Sequence, residues 1–255
     1  MAIDKRFTLE HPWVLSSEFE DLGPAEALTR IINNSNGRKL LFDLDGTLFD
    51  VSPRHRAILR SWAINHGSNF KEGSLIREHV EKPLPYSIKE AFKIWGLDYT
   101  GEHEDHYKSL YEYWADHFFS GRFMEHDRVE EGALEFLKRL EKEGLEVFYV
   151  SGRFNHCMRE GTYHKIIEAG FPLYSDEQLI LKIDLSVSDV EFKSNIAKKL
   201  GDVRATFDNE PANVVSMEDA LPEAIHIFFE TVCSSHEAKP VKGQLRMKSF
   251  KGSPH

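Results

Sequence analysis

The sequence predicts an α/β fold in which a doubly wound parallel sheet carries an inserted α-helical domain. From about residue 127 onward, short apolar runs alternate with amphipathic stretches, which is typical of parallel strands joined by helical crossovers. The stretch 51–126 differs, because it is rich in aromatic residues and has helical periodicity with little strand signal. One apolar run, 39–42, precedes this stretch. The sheet is therefore expected to begin before the insert and to continue after it.

Each predicted strand is a short apolar run without polar alternation, as expected for a strand that is buried on both faces. These runs are 39–42, 147–150, 179–181, 203–207 and 225–229. The predicted helices of the sheet layer are amphipathic, and glycines stand at or near the ends of several of them. They cover 132–142, 156–169, 193–200 and 212–220, with a further helix at about 22–32.

Composition excludes several classes of protein. The 255 residues carry a formal net charge of -10, so we do not expect a nucleic-acid partner, since such binding rests on an excess of lysine and arginine. Cys157 and Cys233 are too few for a disulfide framework and are expected to be free thiols. The first residues have no apolar signal segment, and no run approaches the length of a membrane span. We expect a cytoplasmic protein without membrane contact; its oligomeric state is not predicted.

The predicted organisation has four parts. Residues 1–38 form an N-terminal extension, and 39–50 together with 127–234 form the α/β core. Residues 51–126 form the helical insert, and 235–255 form a basic C-terminal tail. For the tail we favour a solvated terminus or an edge strand over a contact with an anionic partner.

Polar residues follow three of the predicted strands where each strand ends. Residues 43–48 read DLDGTL, 151–153 read SGR and 208–210 read DNE. Ligands of open parallel sheets bind outside the carboxyl ends of the strands. The sequence therefore predicts carboxylates, a hydroxyl and a tight turn gathered at one edge of the sheet.

These motifs resemble those of the haloacid dehalogenase-like superfamily. LLFDLDGTLFD is similar to its first motif, in the DxDGT form of the phosphatases, VFYVSGR to its second and ATFDNEPANV to its fourth. The resemblance covers about 39–50 and 127–230, and it identifies 51–126 as a helical (C1-type) cap. It implies an enzyme that hydrolyses a phosphate ester of a small metabolite through an aspartyl-phosphate.

The resemblance also implies roles for three aspartates. Asp43 is the implied nucleophile, and Asp45 the implied acid and base that serves the leaving group and then water. Asp43, the backbone carbonyl of Asp45 and Asp208 are the implied ligands of Mg²⁺, which prefers oxygen ligands. The presence of Asp45 favours phosphate-ester hydrolysis over dehalogenation or phosphonate cleavage.

A second set of residues is implied to bind the phosphoryl group. Gly46 permits a tight turn, and backbone amides around Gly46 and Thr47 are expected to donate to phosphate oxygens. Ser151 is expected to hydrogen-bond a phosphoryl oxygen, with Gly152 beside it. Arg153 is placed either to contact the substrate or to pair with an acid of the cap.

A lysine is expected to offset the negative charge of the site. Lys193, 15 residues before Asp208, is favoured over Lys182, which directly follows the third strand. The fourth motif departs from the family pattern, because Asn209 stands where many members have a second acid. Glu210 is a partial substitute for that acid.

The insert is expected to set the choice of substrate. Arg54 or His55 is placed to reach the substrate, although a solvated first helical turn is the favoured alternative. An aromatic stripe at helical spacing favours packing inside the cap over a platform for an aromatic substrate. Its residues are Tyr107, Tyr111, Trp114 and Phe118. A phosphomutase of the same chemistry and a phospholigand-binding protein without turnover remain alternative functions.

Overall fold

The computed structural model describes residues 18–67, 73–82, 84–234 and 242–252. The predicted N-terminal extension lies outside the described residues up to residue 17, and so do 235–241 and 253–255 of the predicted tail. Two groups of strands are present. One is formed by β1 (Phe19–Asp21), β2 (Lys39–Phe42), β5 (Glu146–Phe154), β6 (Leu179–Lys182), β7 (Val203–Asp208), β8 (Ile225–Phe229) and β9 (Gln244–Met247), and the other by β3 (Phe49–Asp50) and β4 (Arg128–Val129).

The larger group is a parallel sheet in the order β1-β9-β8-β7-β2-β5-β6. The order reverses around β2, so the chain winds outward in both directions from it, and the predicted doubly wound fold is confirmed. β3 and β4 form a small antiparallel pair where the chain enters and leaves the insert.

The helices fall into two sets. The sheet is covered by α1 (Pro24–Asn33), α6 (Ala133–Lys142), α7 (Asn155–Glu168), α8 (Asp189–Leu200) and α9 (Pro211–Ala220). The insert contains α2 (Ser52–Asn65), α3 (Gly73–His79), α4 (Ile88–Ile94) and α5 (Glu104–Phe118). Within the described residues, these helices lack the length and apolar character that crossing a bilayer requires.

Helices cover both faces of the sheet because successive side chains of a strand point to opposite faces. In β2, Leu40 and Phe42 belong to the apolar cluster that includes Ile31 of α1 and Leu137 of α6. Leu41, between them, belongs to the opposite cluster with α8 and α9. This arrangement explains why the strand sequences are continuously apolar.

Both chain ends contribute to the sheet. β1 pairs with β9, and β9 pairs with β8, so the segments that the sequence sets outside the core each add a strand to it. Phe250, beyond β9, is 4% exposed and stacks on Phe229 with ring centroids 4.4 Å apart. Arg246, Lys248 and Lys251 of this segment pair with acids of the same chain, as in the pairing of Lys251 with Glu131. The division of the chain into domains stays a prediction.

The insert has an apolar core of its own. Trp62 of α2, Phe92 of α4 and Leu110 of α5 are fully buried in it. A capping box at Ser87 and Glu90 fixes the start of α4. The predicted helical insert is thus built around its own aromatic side chains.

Two boundaries near the predicted site differ from the sequence prediction. β5 continues through Ser151 to Phe154, with an irregular register between those two residues. α8 begins at Asp189, because the Ser188 side chain accepts a hydrogen bond from the Glu191 amide. Lys193 therefore lies in the second turn of α8 and not at its start.

Candidate active site

Three neighbouring strands bring the predicted residues together. β2 lies between β7 and β5, and its carboxyl end leads into Asp43. Asp208 ends β7, and Ser151 lies in the second half of β5. The common direction of the strands places all three residues at one edge, as predicted.

Asp43, Lys193 and Asp208 form a buried cluster, which we name the lysine cluster. The Lys193 ammonium donates to Asp43 Oδ1 and to Asp208 Oδ2, each at 2.6 Å. All three side chains are at most 6% exposed. Burial raises the pKa of Asp43 to about 8, an effect that Lys193 opposes and the charge of Asp208 reinforces. Two carboxylates thus share one cation in a site with little water.

The structure distinguishes the two candidate lysines. Lys182 donates to Asp189 at 2.6 Å and contacts neither Asp43 nor Asp208 in any of the bonds described. Lys193 has both of those contacts. The position predicted as more favourable is therefore the one that reaches the site carboxylates.

Asp45 belongs to a second cluster with Arg54, Asp127 and Arg153, which we name the arginine cluster. The Asp45 side chain is 25% exposed, whereas the other three are buried. Asp45 Oδ1 accepts from Arg54 Nη2 at 3.0 Å and from Arg153 Nε at 2.9 Å. Asp127 lies 2.9 Å from Arg54 Nε and 2.8 Å from Arg153 Nη2. Burial alone would raise the pKa of Asp45, but the charges of Arg153 and Arg54 lower it to about 2.

Sequence reasoning missed Asp127 and the pairing of Arg54. Arg54 comes from the first turn of α2 in the insert, and Asp127 precedes β4, so only the folded chain brings them together. Arg54 also lies over the Phe118 ring at 4.3 Å. A buried arginine in a helix that was expected to start in solvent has no clear sequence signal. Arg153 pairs with Asp45 and Asp127, two acids of the predicted core, and in the bonds described it contacts no acid of the cap.

The turn after β2 explains the glycine of the first motif. Gly46 has φ +82°, and a Cβ there would lie 2.3 Å from Asn209 Nδ2. The Gly46 and Thr47 amides donate to Phe49 and Leu44 carbonyls, so they are already engaged within the turn. The Thr47 side chain is fully buried. In this conformation the Gly46 and Thr47 amides therefore do not point their N–H groups at a phosphate, contrary to the prediction.

The other predicted phosphate-binding residues line a common cavity. Ser151 is 2% exposed, and its Oγ accepts from the Arg153 amide at 3.3 Å. Ser151, Gly152 and Arg153 all contribute to the cavity wall beside Asp43 and Lys193. A Cβ on Gly152 would lie 2.5 Å from an Asp189 carboxylate oxygen, so a larger residue there would require the half-exposed Asp189 side chain to move.

The residues of the fourth motif hold the loops around the site. Asn209 Nδ2 donates to the Val232 carbonyl at 2.7 Å. Glu210 accepts from the Ser234 hydroxyl at 2.6 Å, and burial raises the pKa of Glu210 to about 7. Asn213 donates to both carboxylate oxygens of Asp208, at 3.1 and 3.3 Å. Asn209 and Glu210 therefore tie β7 to the loop after β8, and Asn213 orients Asp208.

The oxygen-rich lysine cluster suits a hard cation. Asp43 and Asp208 carry one more charge than Lys193 balances, and carboxylate oxygens are the ligands of Mg²⁺. No group of three potential metal-binding side chains is found in the described part of the chain. Asp43 and Asp208 fit a cation bound through one or two carboxylates, with water and a phosphate as its other ligands.

A cavity of about 360 Å³ lies between the core and the insert. The core contributes Asp43, Asp45 and Lys193 to its lining, and the insert contributes aromatic side chains, including Tyr111 and Trp114. The aromatic stripe was predicted to pack within the insert. Trp114 does so, yet the same stripe also faces the cavity.

His55 of α2 is part of the same lining. The Trp114 indole N–H donates to His55 Nδ1 at 2.9 Å, so the ring proton of neutral His55 is on Nε2. Burial, with the nearby charge of Arg54, lowers the pKa of His55 to about 3. His55 is therefore uncharged at neutral pH.

Comparison with known families gives one partial match. Residues 98–203, less than half of the chain, match the model of the HAD superfamily, subfamily IIIB (acid phosphatase). A comparison with curated proteins gave no match.

Comparison with solved structures finds the same fold at low sequence identity. A haloacid dehalogenase-like family hydrolase from Streptococcus pneumoniae has a TM-score of 0.53 and 10% identity, covering 84% of this chain and 94% of the other. A predicted phosphatase from Clostridium acetobutylicum has a TM-score of 0.50 and 15% identity over 84% and 95% of the two chains. A HAD family hydrolase from Deinococcus radiodurans with bound phosphate and sodium has a TM-score of 0.50 and 16% identity over 85% and 93%.

These comparisons agree with the sequence prediction at the level of the superfamily and of a phosphate-ester hydrolase. The C1 type of the cap stays a prediction. Residues 98–203 are similar to the HAD superfamily, subfamily IIIB (acid phosphatase), and the chain has the same fold as solved hydrolases of that superfamily.

Proposed function

We propose that this protein hydrolyses the phosphate monoester of a small metabolite with Mg²⁺, through an aspartyl-phosphate on Asp43. One observation carries the proposal. Asp43 and Asp208 share the Lys193 ammonium in a buried cluster that forms part of a cavity wall. A cavity that ends at an excess of buried carboxylate suits a cation and a phosphoryl group together.

Asp43 acts as the nucleophile in the first step. Lys193 binds its Oδ1, so we assign the attack to Oδ2. A bond forms between this oxygen and phosphorus while the bond from phosphorus to the ester oxygen breaks. Asn213 keeps Asp208 in place through both of its carboxylate oxygens. Lys193 offsets part of the negative charge that gathers around the phosphoryl group.

Asp43, Asp208 and the Asp45 carbonyl are the groups that would hold Mg²⁺. When bound, the ion supplies positive charge that reduces the repulsion between Asp43 and the phosphate. The pKa of Asp43 is raised to about 8 in the cluster as it stands. A further cation favours the ionised carboxylate that attack requires.

Asp45 is already in the ionised state that the second step requires. The two arginines hold its carboxylate in the ionised form. It is therefore suited to accept a proton from the water that cleaves the bond between Asp43 and phosphorus, releasing phosphate. Donation of a proton to the leaving group requires a higher pKa. The negative charge of a bound phosphate beside Asp45 acts in that direction.

Phosphate release from an aryl phosphate and from a panel of phosphorylated metabolites tests the proposal. We expect release that depends on Mg²⁺, is abolished by EDTA and is absent in Asp43→Asn. The control Asp219→Asn changes an exposed acid of α9 and should retain full activity.

Other outcomes would replace the proposal. Isomerisation of a phosphorylated substrate without free phosphate would favour the phosphomutase. If no member of the panel releases phosphate but the protein still binds phosphate, the binding protein would be favoured. Full activity in Asp43→Asn would rule out the aspartyl-phosphate.

A further inference from the structure

The insert provides most of the apolar wall of the cavity. Six aromatic side chains of the insert line it: Tyr86, Tyr107, Tyr111, Trp114, Phe118 and Phe119. The core provides the carboxylates and Lys193. A substrate whose phosphoryl group reaches Asp43 therefore has its leaving group in the space bounded by the insert.

This aromatic wall is built into the packing of the insert. Trp114 is 8% exposed and stacks on Phe118 with ring centroids 4.9 Å apart. Tyr111 lies against Trp114 at 5.8 Å and is 44% exposed, so it has area left to cover a ligand. The hydrogen bond from Trp114 to His55 further fixes the tryptophan ring. The wall is therefore largely preformed, which lowers the entropic cost of binding a flat group.

The charges around the cavity disfavour a leaving group with its own negative charge. Among the described residues that line the cavity, the insert contributes one cationic side chain, Lys89, which is exposed and lies 5.0 Å from the Tyr99 ring. His55 is held in its neutral form by burial and by the Trp114 hydrogen bond. The lining includes four further carboxylates: Asp50, Glu130, Asp189 and Glu210.

The size of the cavity limits the ligand to one or two rings. An apolar cavity of about 150 Å³ admits benzene. The 360 Å³ of this cavity therefore hold a phosphoryl group and one aromatic ring or a fused pair.

We propose that the substrate is a phosphate monoester with an uncharged, flat aromatic leaving group that lies against Tyr111 and Trp114. This inference rests on the proposed function and names its substrate class. The His55 Nε2–H is available for a polar atom of the aromatic group. Aromatic pairing adds stabilisation beyond the burial of apolar area, which selects a flat ring over a saturated ring of the same size.

A matched pair of esters tests this inference. Benzyl phosphate and cyclohexylmethyl phosphate have the same number of carbons and similar alcohol leaving groups, so they differ mainly in flatness and aromaticity. We expect kcat/KM with Mg²⁺ to favour benzyl phosphate by about three- to ten-fold. Glucose 6-phosphate, a polar ester of similar size, should be hydrolysed more slowly than either.

Two variants test whether the aromatic wall causes the preference for benzyl phosphate. Tyr111→Leu keeps an apolar side chain and removes the ring, so the benzyl preference should fall to below about two-fold. Tyr163→Leu is the control, because Tyr163 is a comparably exposed tyrosine of α7 that does not line this cavity. It should leave the preference unchanged.

Binding of benzylphosphonate and cyclohexylmethylphosphonate, measured by calorimetry, separates the two proposals. Turnover without a benzyl preference, or a preference for glucose 6-phosphate, would overturn the aromatic substrate and leave the hydrolase intact. No turnover with tighter binding of benzylphosphonate would overturn the hydrolase and support the ligand class. No turnover and equal binding would overturn both.

Discussion

The two buried ion clusters lie side by side at the same edge of the sheet and have opposite electrostatic balance. The lysine cluster has two carboxylates and one ammonium, and the pKa of Asp43 in it is raised to about 8. The arginine cluster has two carboxylates and two guanidinium groups, and the pKa of Asp45 in it is lowered to about 2. Burial acts in the same direction on both aspartates, so the number of cations makes the difference.

This difference separates a cluster that lacks a cation from a cluster whose charges are already balanced. A cluster that lacks one positive charge is stabilised when a further cation binds. A cluster whose charges are balanced gains no such stabilisation. The arginine cluster also joins the core to the insert, because Arg54 belongs to α2 and Arg153 to β5. It therefore fixes the aromatic wall relative to the nucleophile.

The largest expected effect comes from removing the one cation of the lysine cluster. Lys193→Met leaves two buried carboxylates without a cationic partner, which costs about 3–5 kcal/mol of the free energy of unfolding. Turnover should fall at least about 10²-fold, because a fixed charge at the reacting group is lost. Chemical denaturation and phosphate release measure the two effects.

Lys182→Met is the matched control, since Lys182 pairs with a half-exposed acid outside the cluster. It should change stability by less than about 1 kcal/mol. Mg²⁺ should raise the Tm of Lys193→Met more than that of the wild type. Equal Tm shifts would contradict the view that the cluster lacks a cation.

In the arginine cluster, Asp127→Asn is expected to lower mainly the free energy of unfolding. The change leaves Arg54 and Arg153 with one carboxylate, at a cost of about 3 kcal/mol. Turnover at saturating substrate should fall less than in Lys193→Met, because Asp127 is one residue removed from the reacting groups. Urea unfolding monitored by circular dichroism gives the first quantity.

Asp176→Asn serves as the surface comparison, because the pair of Asp176 with Arg159 is exposed and should matter little. A loss of activity in Asp127→Asn as large as that in Lys193→Met would mean that Asp127 itself takes part in the chemistry directly.

The strands and the lysine cluster could be predicted from the sequence, because both depend on local signals. Five apolar runs predicted five strands of the sheet, and three of these runs lead into the residues that meet at its edge. β1 escaped prediction, and β9 was expected only as one alternative for the tail, an edge strand, whereas it pairs on both sides; both strands are short, mixed in polarity and paired across more than 200 residues. Separation in the sequence also hid the contact of Arg54 with Asp127. Long-range ion pairs between isolated charged residues have no periodicity to reveal them.

The two clusters also predict opposite dependences of stability on pH in the absence of metal. The pKa of Asp43 is raised in the folded state, so its contribution is present at low pH and lost as pH rises toward about 8. The pKa of Asp45 is lowered, so its contribution is present above about pH 4 and lost as pH falls toward about 2. Between pH 5 and 8 only the Asp43 contribution changes.

Asp43→Asn removes that contribution. Its unfolding free energy relative to the wild type should rise with pH from 5 to 8 in EDTA and level off above. Asp45→Asn should show a constant difference over this range. Saturating Mg²⁺ should remove the part of the wild-type slope that Asp43 causes, since the ion takes the place of the proton. A relative stability of Asp43→Asn that is flat or falls with pH would contradict the raised pKa.

The smallest expected effect is at Asn209, which stands where many superfamily members carry a second acid. Its Nδ2 donates to the Val232 carbonyl, and its side chain lies against Gly46. Asn209→Asp removes this donor and places a carboxylate beside a carbonyl oxygen, at a cost of about 1–3 kcal/mol. Mg²⁺ affinity, measured by calorimetry, should stay within about two-fold of the wild type, because the side chain is directed to the loop after β8. A clearly tighter Mg²⁺ affinity would mean that the acid turns toward the lysine cluster and that Asn209 limits cation binding there.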